Sequence, residues 1–425
     1  MTDSKRSVWS WALYDWANSA FATTVMAGFF PMFFKSYWSD PNSPGESTFY
    51  LGLANSGASI IVAILAPFMG SVADRGTAKM KLLTTFAFLG VVMTAALWTI
   101  HRGHWQLAVL CYVAAAVGFA GSNIFYDSLL PAVASERNVN YVSALGFALG
   151  YIGGGLLFAA NVLMYLNPGS FGLPDGETAV KLSFLTVALW WGVFTVPLLL
   201  FVKEPVIYDP VPLRRALVLG WRQLAGTLRD IRNLKVVGFF LAAYWFYIDG
   251  VDTIVRMGVD YGMSLGLPSG SLIVALLLVQ FVAFPAALAY SWFAGKVGTK
   301  RAIMIGIVAY ACITLLAAFM RDVRDFYGVA IGVGLFQGGV QALSRSLYTR
   351  IIPREKSAQF FGFYNMLGKF AAVIGPALLG TITVVTGNPR AGILSILLLF
   401  ALGGGLLAMV DVEEGKRMAK VHLAR

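Results

Sequence analysis

The sequence consists of long apolar segments separated by short polar or Gly/Pro-containing connections, and this pattern constrains the fold more than any other feature. A helix needs about 20 mostly apolar residues to cross the hydrocarbon core of a bilayer. The segments that meet this requirement are 8–36, 48–72, 81–101, 105–133, 140–166, 180–202, 235–261, 270–294, 301–320, 325–347, 357–386 and 390–411. The pattern therefore predicts an all-α membrane protein with twelve transmembrane helices.

Composition excludes the main alternatives. Of the 425 residues, 58% are hydrophobic and only 12% are charged, whereas soluble domains have about 25% charged residues. Disordered, disulfide-rich and nucleic-acid-binding proteins all need more polar or cysteine residues than this chain has. The sequence also has no motif for a nucleophile, a phosphate loop or a metal, and its 3 His residues lie at or beyond the ends of the apolar segments. We therefore expect no catalytic residues, no metal, no cofactor and no nucleic-acid partner.

The distribution of Lys and Arg predicts the topology. The first apolar segment is too long, and with Asp15 too polar, for a cleaved signal peptide, so it reads as a retained span. Basic residues concentrate at the termini and in the even-numbered connections, which places both termini in the cytoplasm. We expect a monomer surrounded by lipid. Its predicted parts are an N-terminal six-helix bundle (1–202), a basic cytoplasmic connector (203–234), a C-terminal six-helix bundle (235–412) and a cytoplasmic tail (413–425).

Ionisable residues inside the predicted spans are candidates for function, because a bare charge in hydrocarbon is costly. These residues are four acids and two cations, namely Asp15, Asp127, Asp249, Asp252, Arg256 and Lys369. Asp252 and Arg256 share a helix face, so they form either part of a site or a structural pair. Other spans carry polar stripes that include Asn18, Asn123, Gln337, Gln341, Arg345 and Asn365. Lipid cannot satisfy such stripes, so we expect them to meet in a cavity between the two bundles.

The excess of acids over cations in this set predicts coupled transport. Either one or two of the aspartates Asp15, Asp127, Asp249 and Asp252 hold protons, or a cationic substrate supplies the missing charge. Asp127 lies near the end of its span and has a second interpretation as a gate residue. The predicted solute-binding set is Asp15, Asn18, Asp249, Asp252, Arg256, Asn365 and Lys369, with Tyr14 and Tyr364 lining the same cavity.

Two sets of motifs carry a resemblance to known transporters. The segment from Gly70 to Lys79 (GSVADRGTAK) resembles the loop signature of the major facilitator superfamily. That resemblance implies the fold of two six-helix bundles, and it implies a gating role for this loop. The residues concerned are Gly70, Asp74, Arg75 and Gly76.

Four further segments are similar to the vacuole-effluxer family of autophagy-related amino-acid exporters. They begin at Trp11 (WALYDWANSAF), Ile248 (IDGVD), Gly339 (GVQALSRS) and Phe360 (FFGFYN). The resemblance implies export of an amino acid or a related small solute across a vacuolar or bacterial inner membrane, here taken as the inner membrane of a bacterium. Together with the excess of acids, it predicts alternating access coupled to a proton or cation. The alternative is a transporter-like receptor or lipid-handling protein that moves no solute.

Overall fold

The computed structural model describes residues 3–39, 79–204 and 234–422, together with individual positions between 50 and 73. Within these ranges, the side chains of residues 35, 259, 260, 269, 270, 273 and 369–373 lie outside the description, as do those of 421 and 422. The predicted second span and the predicted connector fall largely outside the described residues.

Helices account for nearly all of the described chain. They are α1 Lys5–Ala20, α2 Lys79–Ala96, α3 Trp105–Val133, α4 Val139–Leu166, α5 Gly176–Phe201, α6 Lys235–Ser264, α7 Ser269–Val297, α8 Thr299–Phe319, α9 Val323–Ile351, α10 Ser357–Thr386, α11 Pro389–Ser395, α12 Leu397–Ala408 and α13 Val412–His422. Helix α1 continues to Trp38 through wider π-helical turns at Phe21–Phe29 and Phe34–Trp38. The all-helical prediction is confirmed, and the predicted spans that fall on described residues agree with the helices to within about a turn.

Several helices are built to cross a bilayer. Among the described residues, 8 helices are long and apolar enough to do so, judged by length and composition. They are α2 to α5, α7 to α9, and α11 taken together with α12. The count of twelve spans and the division at 203–234 stay predictions, because part of the chain is outside the description.

Buried apolar side chains form two clusters. The first core contains residues of α1 to α5, with Trp11, Trp38 and Trp191 among its largest fully buried side chains. The second core contains residues of α6 to α13. The two cores meet where α4 packs against α7 and α9, and where α3 packs against α10.

Both described ends of the chain lie at the same end of the molecule, which we call the terminal face. The backbone N–H of Asp3 donates to the carbonyl of Val133 at 2.9 Å, so the start of α1 lies beside the end of α3. Ser7 Oγ donates to the carbonyl of Phe201 at 3.1 Å, and Lys300 Nζ donates to that of Val410 at 2.7 Å. The ends of α3, α5 and α12 and the starts of α1 and α8 therefore share the terminal face. The other end is the far face.

Helix starts at the far face are fixed by polar caps. The Asp175 carboxylate accepts from the backbone N–H of Thr178 at 2.8 Å and caps α5. This hydrogen bond holds the pKa of Asp175 below its ordinary value. Asp322 caps α9 in the same way, accepting from the N–H groups of Arg324 and Asp325. These caps fix where the far-face connections end and the helices begin.

Candidate functional site

A buried arginine on α9 joins the two cores. The Arg345 side chain is 3% exposed, and its Nη1 lies 3.0 Å from Asp127 Oδ1 and 3.5 Å from Asp15 Oδ2. Its Nε donates to Ser143 Oγ at 2.9 Å and its Nη2 donates to the Ser143 carbonyl at 2.8 Å. One guanidinium from the second core thus contacts α1, α3 and α4 of the first core.

The two carboxylates have further partners. Tyr126 donates its hydroxyl to Asp15 Oδ2 at 2.8 Å, on the first core. Asn365 Nδ2, on α10 of the second core, donates to Asp127 Oδ2 at 3.1 Å. Each Asp127 oxygen therefore accepts one hydrogen bond from the second core. We call this set the arginine cluster; its members are Asp15, Tyr126, Asp127, Ser143, Arg345 and Asn365.

Aromatic rings hold the cluster in place. The Arg345 guanidinium lies over the ring of Phe147 at 4.3 Å and over that of Trp11 at 4.9 Å. Trp11 stacks on Tyr126 at 4.3 Å between ring centroids and donates its Nε1–H to the Tyr126 carbonyl at 3.0 Å. These contacts fix the Tyr126 hydroxyl that reaches Asp15, and the ring faces add cation–π attraction for the arginine.

Glycines on α4 allow the close approach that the cluster needs. A Cβ at Gly146 would lie 2.6 Å from Asp15 Oδ2 and 2.8 Å from the Tyr126 hydroxyl. Further along the same face, a Cβ at Gly150 would lie 2.6 Å from Ser19 Oγ. The glycine stripe on this helix is thus a packing surface against α1.

More hydrogen bonds join the two cores between the cluster and the terminal face. Asn140 Nδ2 donates to Thr299 Oγ1 at 2.9 Å, and its Oδ1 accepts from Ser346 Oγ and, at 3.0 Å, from Arg350 Nη2. Lys79 Nζ donates to Ser357 Oγ at 2.8 Å. Among the hydrogen bonds that join described side chains of the two cores, Tyr151 to Gln341 at 2.9 Å is the one furthest from the terminal face. The structure is therefore closed at its terminal face.

The predicted gating loop is only partly described. Gly70 packs directly against the backbone of Ala358, with no room for a Cβ. Asp74, Arg75 and Gly76 lie outside the described residues. The closed terminal face thus includes Gly70, and the role of the other three stays a prediction.

Asp252 and Arg256 lie nearer the far face than the arginine cluster. Arg256 Nη2 is 4.0 Å from Asp252 Oδ2, and the two side chains are 50% and 23% exposed, respectively. Asp252 is within electrostatic range of Tyr151, and Arg256 is within that of Tyr112, both on the first core. The pair is therefore partly exposed and within electrostatic range of the first core, and we call it the accessible pair.

Asp249 has hydrogen-bond partners outside both groups. Its side chain is buried, and its two oxygens accept the backbone N–H of Gly375 at 3.0 and 2.9 Å. Thr253 Oγ1 donates to Oδ1 at 3.4 Å, so the hydrogen bonds that Asp249 accepts from described residues all come from the second core. Asp249 is on the stripe that the sequence predicts, but the structure gives it a backbone partner on α10.

The remaining predicted residues lie in packed surroundings. Asn18 Nδ2 donates to Asn123 Oδ1 at 2.6 Å within the first core. Tyr14 is fully buried beside Tyr126, and Tyr364 stacks on Tyr244 at 4.1 Å. The side chain of Lys369 lies outside the described residues.

Sequence reasoning missed Arg345 as a site residue. It counted Arg256 and Lys369 as the cations at membrane depth, although the four-residue spacing of Gln337, Gln341 and Arg345 was visible. The structure adds this third cation and places it against two of the four acids. With this third cation, the excess of negative charge at membrane depth is smaller than the count of four acids and two cations from the sequence indicates.

The fold is shared with solved transporters. The chain resembles the human organic anion transporter MFSD10 (TETRAN), with a TM-score of 0.75, 14% identity, and 96% of this chain and 100% of that chain covered. It also resembles the proton:xylose symporter XylE, with a TM-score of 0.73, 12% identity, and 99% and 97% covered. These neighbours establish the major facilitator fold. The protein is an integral membrane protein with this fold.

The family follows from the sequence comparison. The chain belongs to the family described as "Vacuole effluxer Atg22 like", which matches residues 46–420. An uncharacterized MFS-type transporter, YxiO of Bacillus subtilis, is 39% identical over 406 residues, covering 95% of this chain and 94% of its own. Autophagy-related protein 22-1 of Penicillium rubens is 22% identical, with 98% and 91% covered. The resemblance seen in the sequence is confirmed, and because the family is one of transporters, the protein is not an enzyme.

Proposed function

We propose that the protein is a secondary active transporter that exports a small polar solute, an amino acid or a related zwitterion, by alternating access coupled to a proton or cation. The observation that carries the proposal is the contact of Arg345 with Asp15 and Asp127 across the two cores. It is a polar closure that must break when the terminal face opens.

The Asp252–Arg256 pair supports a zwitterionic solute. The two charges lie 4.0 Å apart on an accessible stripe, and the arginine is half exposed. A carboxylate and a guanidinium are the groups that bind an ammonium and a carboxylate through charge-assisted hydrogen bonds. A solute with both groups could replace the internal pair without leaving an unpaired charge. Tyr112 and Tyr151, on the first core, are within electrostatic range of the pair.

The arginine cluster supports coupling. Two carboxylates and one guanidinium leave one negative charge when all three are ionised. One proton or one monovalent cation neutralises the cluster, and its release restores the charge. Because the cluster lies in the contact between the cores, binding or release of this proton or cation biases the opening of the terminal face.

The family description and relatives support export across an inner membrane. The family is described as effluxers, and the Bacillus subtilis relative is bacterial. With the termini cytoplasmic, as the basic residues predict, the terminal face is the cytoplasmic face and the structure is outward-facing.

The test is counterflow of labelled amino acids into proteoliposomes that contain the full-length protein, with and without a pH gradient. Removing one ion of the accessible pair, as in Asp252→Asn or Arg256→Gln, should raise the half-saturating solute concentration at least about tenfold, because a charge-assisted contact to the solute is lost. Asp15→Asn should keep counterflow and lose its dependence on the pH gradient.

The matched control uses an exposed pair of the same kind. Arg417 and Glu414 on α13 lie 2.7 Å apart at i and i+3, and Glu414→Gln or Arg417→Gln should leave transport unchanged. The solute assignment is wrong if the variants of the accessible pair transport like the wild type. The coupling assignment is wrong if Asp15→Asn responds to the gradient as the wild type does.

A further inference from the structure

A cavity of about 340 Å³ opens at the terminal face, and the proposed transport site does not use it. It lies beyond Asn140, between the α3–α4 connection, the end of α9 and helix α13. Its polar lining consists of Ser135, Glu136, Thr349, Arg350, Arg354, Lys416 and Lys420. Both cores and the C-terminal helix thus contribute to one cavity.

The lining carries an excess of positive charge. Four cationic side chains face one carboxylate in the cavity wall. Lys416 is balanced locally, with Glu136 at 3.5 Å and Glu413 at 2.8 Å. Among the described residues, no carboxylate lies within ion-pair distance of the other three cations.

One of these cations also has an unused donor. Arg350 Nη2 donates to the neutral amide oxygen of Asn140 at 3.0 Å. Its Nε is buried and has no hydrogen-bond partner in the described part of the structure. A buried guanidinium donor without an acceptor is costly, so an acceptor supplied by a ligand would be favourable here.

We propose that this cavity binds a phosphate-bearing anion. Arginine forks match phosphate oxygens, and two arginines and a lysine with no described carboxylate in ion-pair distance line the cavity. The volume falls within the range of small-molecule sites, which begins at about 300 Å³. The phosphate comes either from a lipid headgroup of the adjacent leaflet or from a soluble phosphate compound, and both would present the same oxygens.

Such an anion would stabilise the closed terminal face. Its ligands come from α9, from the turn that follows it and from α13, while Ser135 and Glu136 belong to the first core. Separation of the cores would remove one wall of the cavity. A ligand that prefers the closed arrangement shifts the population toward it by its difference in affinity.

The test measures the thermal stability of the purified full-length protein. In detergent, inorganic phosphate is titrated against chloride at equal ionic strength; in a second arm, nanodiscs of phosphatidylglycerol are compared with phosphatidylcholine. The variant is Arg354→Gln/Lys420→Gln, with Lys420→Gln alone as a milder change. The control is Lys296→Gln/Arg301→Gln, which removes two exposed cations at the terminal face outside this cavity.

Binding raises Tm with ligand concentration, and we expect the cavity variant to need at least about tenfold more ligand for the same rise. Stabilisation by inorganic phosphate identifies a soluble ligand, and stabilisation by phosphatidylglycerol alone identifies a headgroup. The control should respond like the wild type. The proposal is overturned if neither probe raises Tm, or if the cavity variant responds like the wild type.

Discussion

Replacing Asp127 by Asn should open the terminal face. Asp127 Oδ1 accepts from Arg345 at 3.0 Å and Oδ2 accepts from Asn365 at 3.1 Å, and both donors belong to the second core. An Asn side chain keeps the shape but has only one acceptor oxygen, so its NH₂ group must face one of these two donors. The change therefore acts on the contact between the cores.

The magnitude follows from these contacts. A buried donor left without its acceptor costs about 1–3 kcal/mol, and the remaining hydrogen bond loses its charge assistance, at about 1 kcal/mol. Asp15 stays as a counter-ion to Arg345, so the total should lie near the lower end of the range of about 3–5 kcal/mol for breaking a buried ion pair. About 3 kcal/mol shifts the closed-to-open equilibrium roughly a hundredfold.

The assay is the labelling rate of a cysteine at the closed face. Cys111 and Cys312 are free thiols and are first replaced by Ala. Thr349→Cys then places the reporter at a side chain that is 8% exposed and lines the cavity at the terminal face. We expect a membrane-impermeant maleimide, applied from the terminal side, to react up to about a hundredfold faster in the Asp127→Asn background.

Asp249→Asn is the matched control. Asp249 is also a buried aspartate, but the described residues that donate to it, Gly375 and Thr253, are both within the second core. Its replacement should leave the labelling rate near that of the wild type. An unchanged rate in Asp127→Asn, or an equal rise in both variants, would refute the gate assigned to the arginine cluster.

Two further predictions concern local packing and pH. Gly375→Ala should lower the free energy of unfolding by about 3 kcal/mol, the upper end of the usual cost of overpacking. Its Cβ would overlap Thr253 Oγ1 and lie 2.8 Å from Asp249 Oδ1, and thermal unfolding of the purified protein measures the loss. The cap at Asp175 should stabilise the protein above the ordinary pKa of an aspartate, about 3.8, and lose that contribution as pH falls through its lower folded pKa. The Tm difference between wild type and Asp175→Asn, followed from pH 7 to about pH 3, should therefore shrink with acidification.

Each of these two predictions has a control variant in the same helix. Gly380, on the same helix as Gly375, has open space where a Cβ would be, and Gly380→Ala should be tolerated; a similar loss in both variants would argue against the close contact. Thr178→Ser keeps the backbone N–H that Asp175 accepts, so it should leave the pH response unchanged. A Tm difference between wild type and Asp175→Asn that grows at low pH would contradict the predicted direction of the pH dependence.

The helices were predictable because their signal is physical and local. Membrane spans need uninterrupted apolar length, so bounds such as 105–133 and 357–386 follow directly from the sequence and coincide with α3 and α10. The break within the last apolar segment, where α11 ends at Ser395 and α12 begins at Leu397, has no Gly or Pro to mark it. Local composition alone does not place that break.

The candidate site was predictable only in part. Asp15, Asp127 and Asn365 stand out because each is polar within an apolar segment, but their meeting point depends on how three helices pack. Arg345 lies toward the basic end of its span, where cations usually mark topology, and only its burial shows another role.

Asp249 and Asp252 illustrate the same limit at shorter range. Residues three apart share a helix face, yet the structure buries one carboxylate against the backbone N–H of Gly375 and leaves the other 23% exposed. Pro376 follows Gly375 inside α10, and a proline disturbs the turn that precedes it. The partner of Asp249 is thus determined by a different helix, which spacing on α6 does not show.

The arrangement of charges explains why opening and proton binding would be coupled in the proposed mechanism. When the terminal face opens, Arg345 leaves with the second core, while Asp15 and Asp127 stay together on the first. Water must then replace the guanidinium beside two carboxylates, which repel each other once their shared counter-ion is gone. A proton on either carboxylate removes that repulsion, which stabilises the open state. It also weakens the contact with Arg345, which destabilises the closed state, so both effects of protonation favour opening. Closure regenerates the Arg345 contacts and favours release of the proton, which gives the cluster the cycle of charge that a coupled transporter requires.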